Sequence, residues 1–409
     1  MNKNLFYIYL SIFLVYVGYG LTLPLLPFFV ERMSSIVMNQ ETVSLHVGMI
    51  TGVFALMQVL FAPLWGKLSD TIGRKPLFSI GLIGTALSIF IFGISSNLYW
   101  LYSSRIIGGI FSAAVIPVAS SYVSDLSPIE NRGKVLAWIG GASAIGATVG
   151  PAASSFLSNI NLPVYSVSNF SFDEFSIPFT SISILLGFNL FLIKQLPEIS
   201  NVDSSGFIVS IPQNEKISIV SIVKSIRFLL ILSFVSQYSL MLFEATFSLH
   251  AKYLINYGTL ELGIIYSFCG GIMGIAQSFF IGHLIDKKGE KVLMPFGFLL
   301  TAIGIISLMV FENLFLIILS VTILSIGISS ITPSLSSLIS KRFPQNTGSA
   351  LGVQNSVDNL GKGIGAILGG ILFALNIHLP FLSAGLLLLI IAAGLFGKYH
   401  YSEPESDSY

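Results

Sequence analysis

Four ionisable residues stand inside long apolar runs of this sequence: Arg105, Glu244, Asp358 and Lys362. Charge in an apolar medium is costly, and such groups mark ion or substrate paths more often than packing. Glu244 lies in Phe243-Glu244-Ala245-Thr246-Phe247. Carboxyls stripped of water hold their protons more readily, so a glutamate in this setting can carry a proton near neutral pH. Tyr238, Phe243 and Phe247 offer aromatic faces suited to lipophilic cations. The structural alternative is a glutamate bonded to neighbouring hydroxyls. Asp358 and Lys362 are one helical turn apart and so share a face. They form either a self-neutralising pair or a switch in which protonating Asp358 releases Lys362 to another partner. Arg105 lies about seven residues, roughly 10 Å, from the end of its run, which allows either a functional charge or one that snorkels to the surface. Gln58 supplies a polar contact for a substrate or a hydrogen bond between helices.

These groups need a frame that shields them from lipid. Of 409 residues, 54% are hydrophobic and 10% charged, against about 25% charged in soluble domains. Mean hydropathy is +0.85. Twelve apolar runs, from 5–30 to 379–398, approach the roughly 20 residues that a membrane helix needs. The first is read as a span rather than a cleaved leader, because it is too long for a leader core. With both termini cytoplasmic, sixteen of the twenty Lys and Arg residues fall on the cytoplasmic side, as the positive-inside rule requires. Arg32 and Lys252 are the two on the outer side.

The chain also repeats itself. Pro117 and Pro333, and Pro128 and Pro344, are each 216 residues apart. Gly66, Asp70 and Gly73 recur as Gly282, Asp286 and Gly289 at the same offset, and Gly146 and Gly150 recur as Gly361 and Gly365 at 215. Parallel repeats of this kind build transporters with a substrate site between the halves. The expected fold is therefore an all-α membrane protein, with twelve transmembrane helices in two pseudo-symmetric six-helix bundles. Residues 1–196 form the first bundle, 197–224 a cytoplasmic linker, 225–399 the second bundle and 400–409 a cytoplasmic tail.

The stretch from Pro63 through Gly66, Asp70, Gly73, Arg74 and Lys75 resembles the signature loop of the major facilitator superfamily. That resemblance implies a latch between halves that gates the cytoplasmic entrance. Glu290 stands where the first copy has Arg74, so the second loop reads as degenerate. Gly146-x3-Gly150-Pro151 resembles the superfamily's antiporter motif, with Ser154 and Ser155 where the family has a glycine pair. Its plain alternative is small-residue helix packing. Arg105-Ile106-Ile107-Gly108-Gly109 resembles a motif linked to proton transfer. The setting of Glu244 resembles the drug:proton antiporter branch, the twelve-span multidrug and tetracycline exporters. Two departures concern cargo: Ser329 replaces an acidic residue of the multidrug branch, and no aspartate stands near Val15 as in tetracycline exporters.

The resemblance implies proton-coupled efflux of lipophilic cationic or neutral drugs by alternating access at the plasma membrane. Glu244 would exchange a proton for substrate, Arg105 would modulate it, and Asp70 with Arg74 would latch the gate. The alternatives are a transporter of a native metabolite such as a sugar, or a non-transporting membrane sensor. A net charge of +1 leaves no basic footprint for nucleic acid. Five scattered histidines and one cysteine give no metal-ligand spacing. No phosphate loop or catalytic constellation is present, so neither an enzyme, a cofactor nor a metal is expected. The expected partners are a small-molecule substrate, protons and the lipid bilayer, with the chain working as a monomer.

Overall fold

The computed structural model describes residues 3–33, 38–128, 132–160, 163–167, 170–198, 219–344 and 346–400. Most of the expected linker (199–218) and tail (401–409) lies outside the described residues. Twelve helices are long and apolar enough to cross a membrane. They are α1 (Lys3–Arg32), α2 (Gln40–Ile72), α3 (Arg74–Ile94), α4 (Leu98–Asp125), α5 (Arg132–Leu157), α6 (Ser176–Ile193), α7 (Ile219–Leu254), α8 (Thr259–Lys288), α9 (Glu290–Ser307), α10 (Leu314–Arg342), α11 (Thr347–Leu375) and α12 (Leu379–His400). Helix α7 begins inside the stretch read from the sequence as linker, and its backbone leaves helical geometry at Ile226 (φ −113°, ψ 18°).

The repeat reaches down to single helix ends. Asn97 and Asn313, 216 apart, cap α4 and α10. Their side chains accept hydrogen bonds from the backbone N–H groups of Trp100 (3.1 Å) and Phe315 (2.9 Å), which otherwise have no partner in a first helical turn. Gly73 (φ 98°) and Gly289 (φ 80°) each turn one helix into the next across a single residue. That backbone conformation strains any residue with a Cβ, which explains why both copies of the loop keep this glycine. Helix α2 carries Pro63 inside it, and α8 has a π-helical turn at Ala276–Ile281 around the matching depth. Both devices interrupt the regular hydrogen-bond ladder and let a long helix bend.

Packing repeats as well. In the first half α1 packs on α5 and α6, α3 on α4 and α6, and α2 on α4. In the second half α7 packs on α11 and α12, α9 on α10 and α12, and α8 on α10. Phe29, Phe78, Tyr122 and Phe179 fill the first core, and Phe243, Phe247, Phe298 and Phe381 the second. Outward faces stay apolar, as a lipid surround demands: α6 buries Ile182, Leu186 and Asn189 but exposes Ile184, Phe188 and Phe191.

Two seams join the halves, α2 with α11 and α5 with α8. A shift of six helices converts one seam into the other. Both are tight at one end only. A Cβ on Gly370 would lie 2.5 Å from the Ser44 carbonyl oxygen and 3.0 Å from Gly48 Cα, and one on Gly263 would lie 2.7 Å from the Pro151 carbonyl oxygen. Toward the other end of the same helices, a Cβ on Gly66, Gly140, Gly282 or Gly352 would meet nothing within 4 Å. The halves therefore touch at the end holding Glu31 and part at the end holding Gly73.

The touching end is further tied by Lys252 and the Tyr253 hydroxyl, both of which donate to Glu31 across the halves. The connection between α5 and α6 contains an antiparallel strand pair, β1 (Tyr165–Val167) and β2 (Phe170–Phe172), with Tyr165 opposite Phe172. It leads into Asp173, which pairs with Arg32. Arg32 and Lys252, the two exceptions to the charge asymmetry, are thus each matched by a carboxylate.

The seam geometry predicts opposite outcomes for one small change. Gly370→Ala must push α11 off α2, costing about 1–3 kcal/mol as overpacking does, and lowers the melting temperature of the purified protein. Gly140→Ala adds a methyl to open space and leaves the melting temperature unchanged or raises it.

Candidate functional site

The parted halves enclose a cavity of about 340 Å³, within the range of small-molecule sites. Helix α1 contributes Tyr16, Tyr19 and Thr22, and α2 contributes Phe54 and Gln58. Arg105 and Ser112 come from α4, Glu244 from α7, and Asn355, Asn359 and Lys362 from α11.

Close packing of α1 on α5 sets the tyrosines in place. A Cβ on Gly146 would lie 2.5 Å from the Phe13 carbonyl oxygen, and one on Gly150 would lie 2.8 Å from Gly20 Cα. Gly361 and Gly365 meet α7 in the same way, at the Phe234 carbonyl oxygen (2.6 Å) and Tyr238 Cα (3.0 Å). Gly146, Gly150 and Pro151 are therefore a helix-approach device, repeated in each half. Their small faces turn the opposite side of α1 toward the cavity.

Glu244 is the one carboxylate among the lining residues. Its Oε2 accepts a hydrogen bond from the Tyr19 hydroxyl at 2.8 Å. Tyr19 belongs to the first half and Glu244 to the second, so this bond crosses between them. The Glu244 carbonyl accepts from the Tyr266 hydroxyl at 2.9 Å, fixing α7 against α8. The aromatic neighbours expected from the sequence point elsewhere. Phe243 and Phe247 are fully buried in the core of the second half, 5.3 Å apart between ring centroids, and Tyr238 stacks on Phe234. The reason is helical phase: positions four apart share a face, and residue 244 lies off that face. The aromatic surface of the cavity comes from α1 and α2 instead.

Arg105 does not snorkel. It is 9% exposed, its Nη2 donates to Thr22 Oγ1 at 2.7 Å, and its guanidinium lies 4.0 Å from the Phe92 ring centroid. Among the described residues no carboxylate comes within ion-pairing distance of it, so Arg105 and Glu244 share the cavity without touching. Gln58 Nε2 donates to Ser112 Oγ at 3.0 Å, joining α2 to α4. Asp358 and Lys362 lie one turn apart on α11, and their charges interact without an ion-pair contact. Asp358 accepts from Ser233 Oγ on α7 at 2.5 Å, while Lys362 faces the cavity.

In the first loop Arg74 donates to Asp125 (3.2 Å) and Ser69 (2.7 Å), and Lys75 Nζ donates to the Lys194 carbonyl (2.9 Å). The Asp70 side chain lies outside the described residues. Gly66 precedes this turn within α2, as Gly282 and Asp286 precede the Gly289 turn within α8. The second loop is less degenerate than its sequence implies. Glu290, at the Arg74 position, accepts from Lys341 (2.5 Å) and Ser337 (2.6 Å). Lys341 is 216 residues after Asp125, as Glu290 is after Arg74. The same ion pair is present with its signs reversed. Comparing both members of the pair at that offset would have found it in the sequence.

Two matching bundles around a central cavity that holds a few charged groups define a membrane transporter of the two-repeat architecture. The chain matches the profile of the Major Facilitator Superfamily over residues 8–287 and 229–408, and it belongs to that family. Multidrug resistance protein 2 of Bacillus subtilis (strain 168) is 28% identical, over 95% of this chain and 94% of the relative. Quinolone resistance protein NorA of Staphylococcus aureus (strain COL) is 26% identical, over 98% of each. A solved bacterial homologue of the human lysosomal transporter Spinster, inward-facing and unoccupied, shares the fold with a TM-score of 0.75 at 14% identity, over 96% of this chain and 95% of that one.

The reversed pair predicts the outcome of a charge exchange. Asp125→Lys places two cations together and lowers stability by about 1 kcal/mol, at the upper end for half-exposed pairs. Combining it with Arg74→Glu reproduces the arrangement of the second half and recovers most of that loss in thermal denaturation of the purified protein.

Proposed function

We propose that this protein exports lipophilic drugs, cationic or neutral, from the cytoplasm in exchange for protons. The observation that carries the reading is Glu244, a lone carboxylate in an aromatic cavity, bonded across the halves to Tyr19. Two relatives named for drug resistance match along nearly their whole length, which supports the same cargo class here.

Sixteen of twenty basic residues favour the Gly73 end as the cytoplasmic one, in a cell membrane. With that orientation the structure is the state open to the cytoplasm. Glu31, Lys252 and Tyr253 close the outside. A cationic or neutral lipophile enters between Tyr16, Tyr19 and Phe54 and competes with the Tyr19 hydroxyl for the Glu244 carboxylate. Charge-assisted hydrogen bonds are the stronger kind, so the ionised carboxylate ties the halves at this depth more firmly than the protonated one. Substrate binding and proton loss therefore both act on a contact between halves, which gives each a different affinity for the two access states. That difference is what a ligand needs to drive a conformational cycle.

When the outside opens, a proton reaching Glu244 removes the charge that held the cargo. Arg105, fixed by Thr22, adds a constant positive charge to the same wall and modulates the exchange. Asp70 and Arg74 latch the Gly73 end when it closes. The working unit is one chain, and its work is transport rather than catalysis.

Reconstitution into liposomes with an imposed pH gradient tests the reading. Flux of a lipophilic cationic dye should follow the gradient and fall at least about tenfold in Glu244→Gln, as expected on removing a proton-transfer group. Flux that ignores the gradient and survives Glu244→Gln would refute it.

A further inference from the structure

The charges that line the cavity do not balance. Arg105 and Lys362 are cations and Glu244 is the single carboxylate. With Glu244 ionised, the lining's one excess positive charge is offset only by Asp358, one turn behind Lys362, and with Glu244 protonated one positive charge is left over. The two cations also differ in availability. Arg105 is already held by Thr22 and lies against Phe92. Lys362 faces the cavity, and among the described residues no carboxylate lies within 4 Å of its ammonium. Asp358, one turn away, is engaged by Ser233, which in turn accepts from Gln354. The nearest acid in sequence is thus committed to α7.

We propose that Lys362 is an anchor for a carboxylate on the cargo, so that among neutral lipophiles the transporter favours zwitterions bearing a carboxylate. The inference rests on the transport reading above and specifies its substrate class. Asn355, Asn359 and Lys362 all line the cavity from one face of α11, at spacings of four and three residues that stack along a helix. Together they offer amide and ammonium donors in a row, which suits an acceptor-only group such as a carboxylate. Across the cavity, Tyr16, Tyr19 and Phe54 offer apolar faces, and Glu244 offers an acceptor for an amine. A lipophilic zwitterion satisfies both poles at once, with its amine toward Glu244 and its carboxylate on Lys362. A neutral or cationic lipophile still binds through the aromatic wall and Glu244 but leaves Lys362 unsatisfied.

A matched pair of dyes separates these terms. Rhodamine B carries a free carboxylate on a cationic ring system, and its ethyl ester has the same rings without the carboxylate. Binding is measured by fluorescence polarisation with the full chain in lipid nanodiscs. Lys362→Met should weaken rhodamine B binding about tenfold, the scale of one hydrogen bond to a charged group. Binding of the ester should change less than about twofold on the same scale, and Lys362→Arg should retain both dyes. If Lys362→Met does not stay monodisperse, Lys362→Gln is read in its place. Equal loss of both dyes, or loss of neither, would overturn the anchor while leaving the transport reading intact. A wild type that binds neither dye overturns both.

Discussion

The whole arrangement depends on a steric constraint: four helices can touch closely only where their facing residues are small. Gly48 against Gly370 and Gly263 against Pro151 let α2 meet α11 and α5 meet α8 at the Glu31 end. Without that approach there would be no closed end and hence no cavity with a single mouth. Farther along the same helices lie further glycines with open space before them. Small residues at both ends of a seam are what two alternative closures of one pair of surfaces require. Close van der Waals packing is also the main force available between helices in lipid, where hydrophobic association is lost. The seams therefore provide both the hold and the freedom to exchange one closed end for the other.

The chemistry sits where the seams begin to separate. The Tyr19–Glu244 bond crosses the halves inside the cavity, and the Lys252–Glu31 pair crosses them at the closed end. Arg105 is kept rigid by Thr22 and Phe92, whereas Lys362 is left open to whatever enters. On the proposed reading, one side chain takes part in proton exchange, one supplies a fixed field, and one is available to cargo.

Much of this was legible in the residues. Hydropathy gives the twelve spans, and the offset of 216 gives the two halves, because duplicated packing constrains duplicated positions. Glu244, Arg105, Gln58 and Lys362 were visible as polar groups in apolar runs, and all four line one cavity. Proximity in sequence to Glu244 points Phe243 and Phe247 to the cavity. Helical phase instead sends them to the core, and only the position of α7 relative to α8 decides which face is inward. The Arg74–Asp125 pair and its reversed copy were hidden because charge complementarity survives a swap that residue identity does not. The β1–β2 strand pair was hidden because a three-residue strand is too short to show an alternating pattern.

The central claim is that the state of Glu244 decides which end of the seams is closed. Distances between spin labels, measured by double electron–electron resonance in lipid, test it directly. One pair, at Thr71 and Gly348, spans the Gly73 end, and another, at Gln40 and Asn376, spans the Glu31 end. On acidification the first distance should shorten and the second lengthen, and Glu244→Gln should hold both at one value across the same pH range. If the two distances change in the same sense, or if Glu244→Gln responds to pH as the wild type does, the account is contradicted.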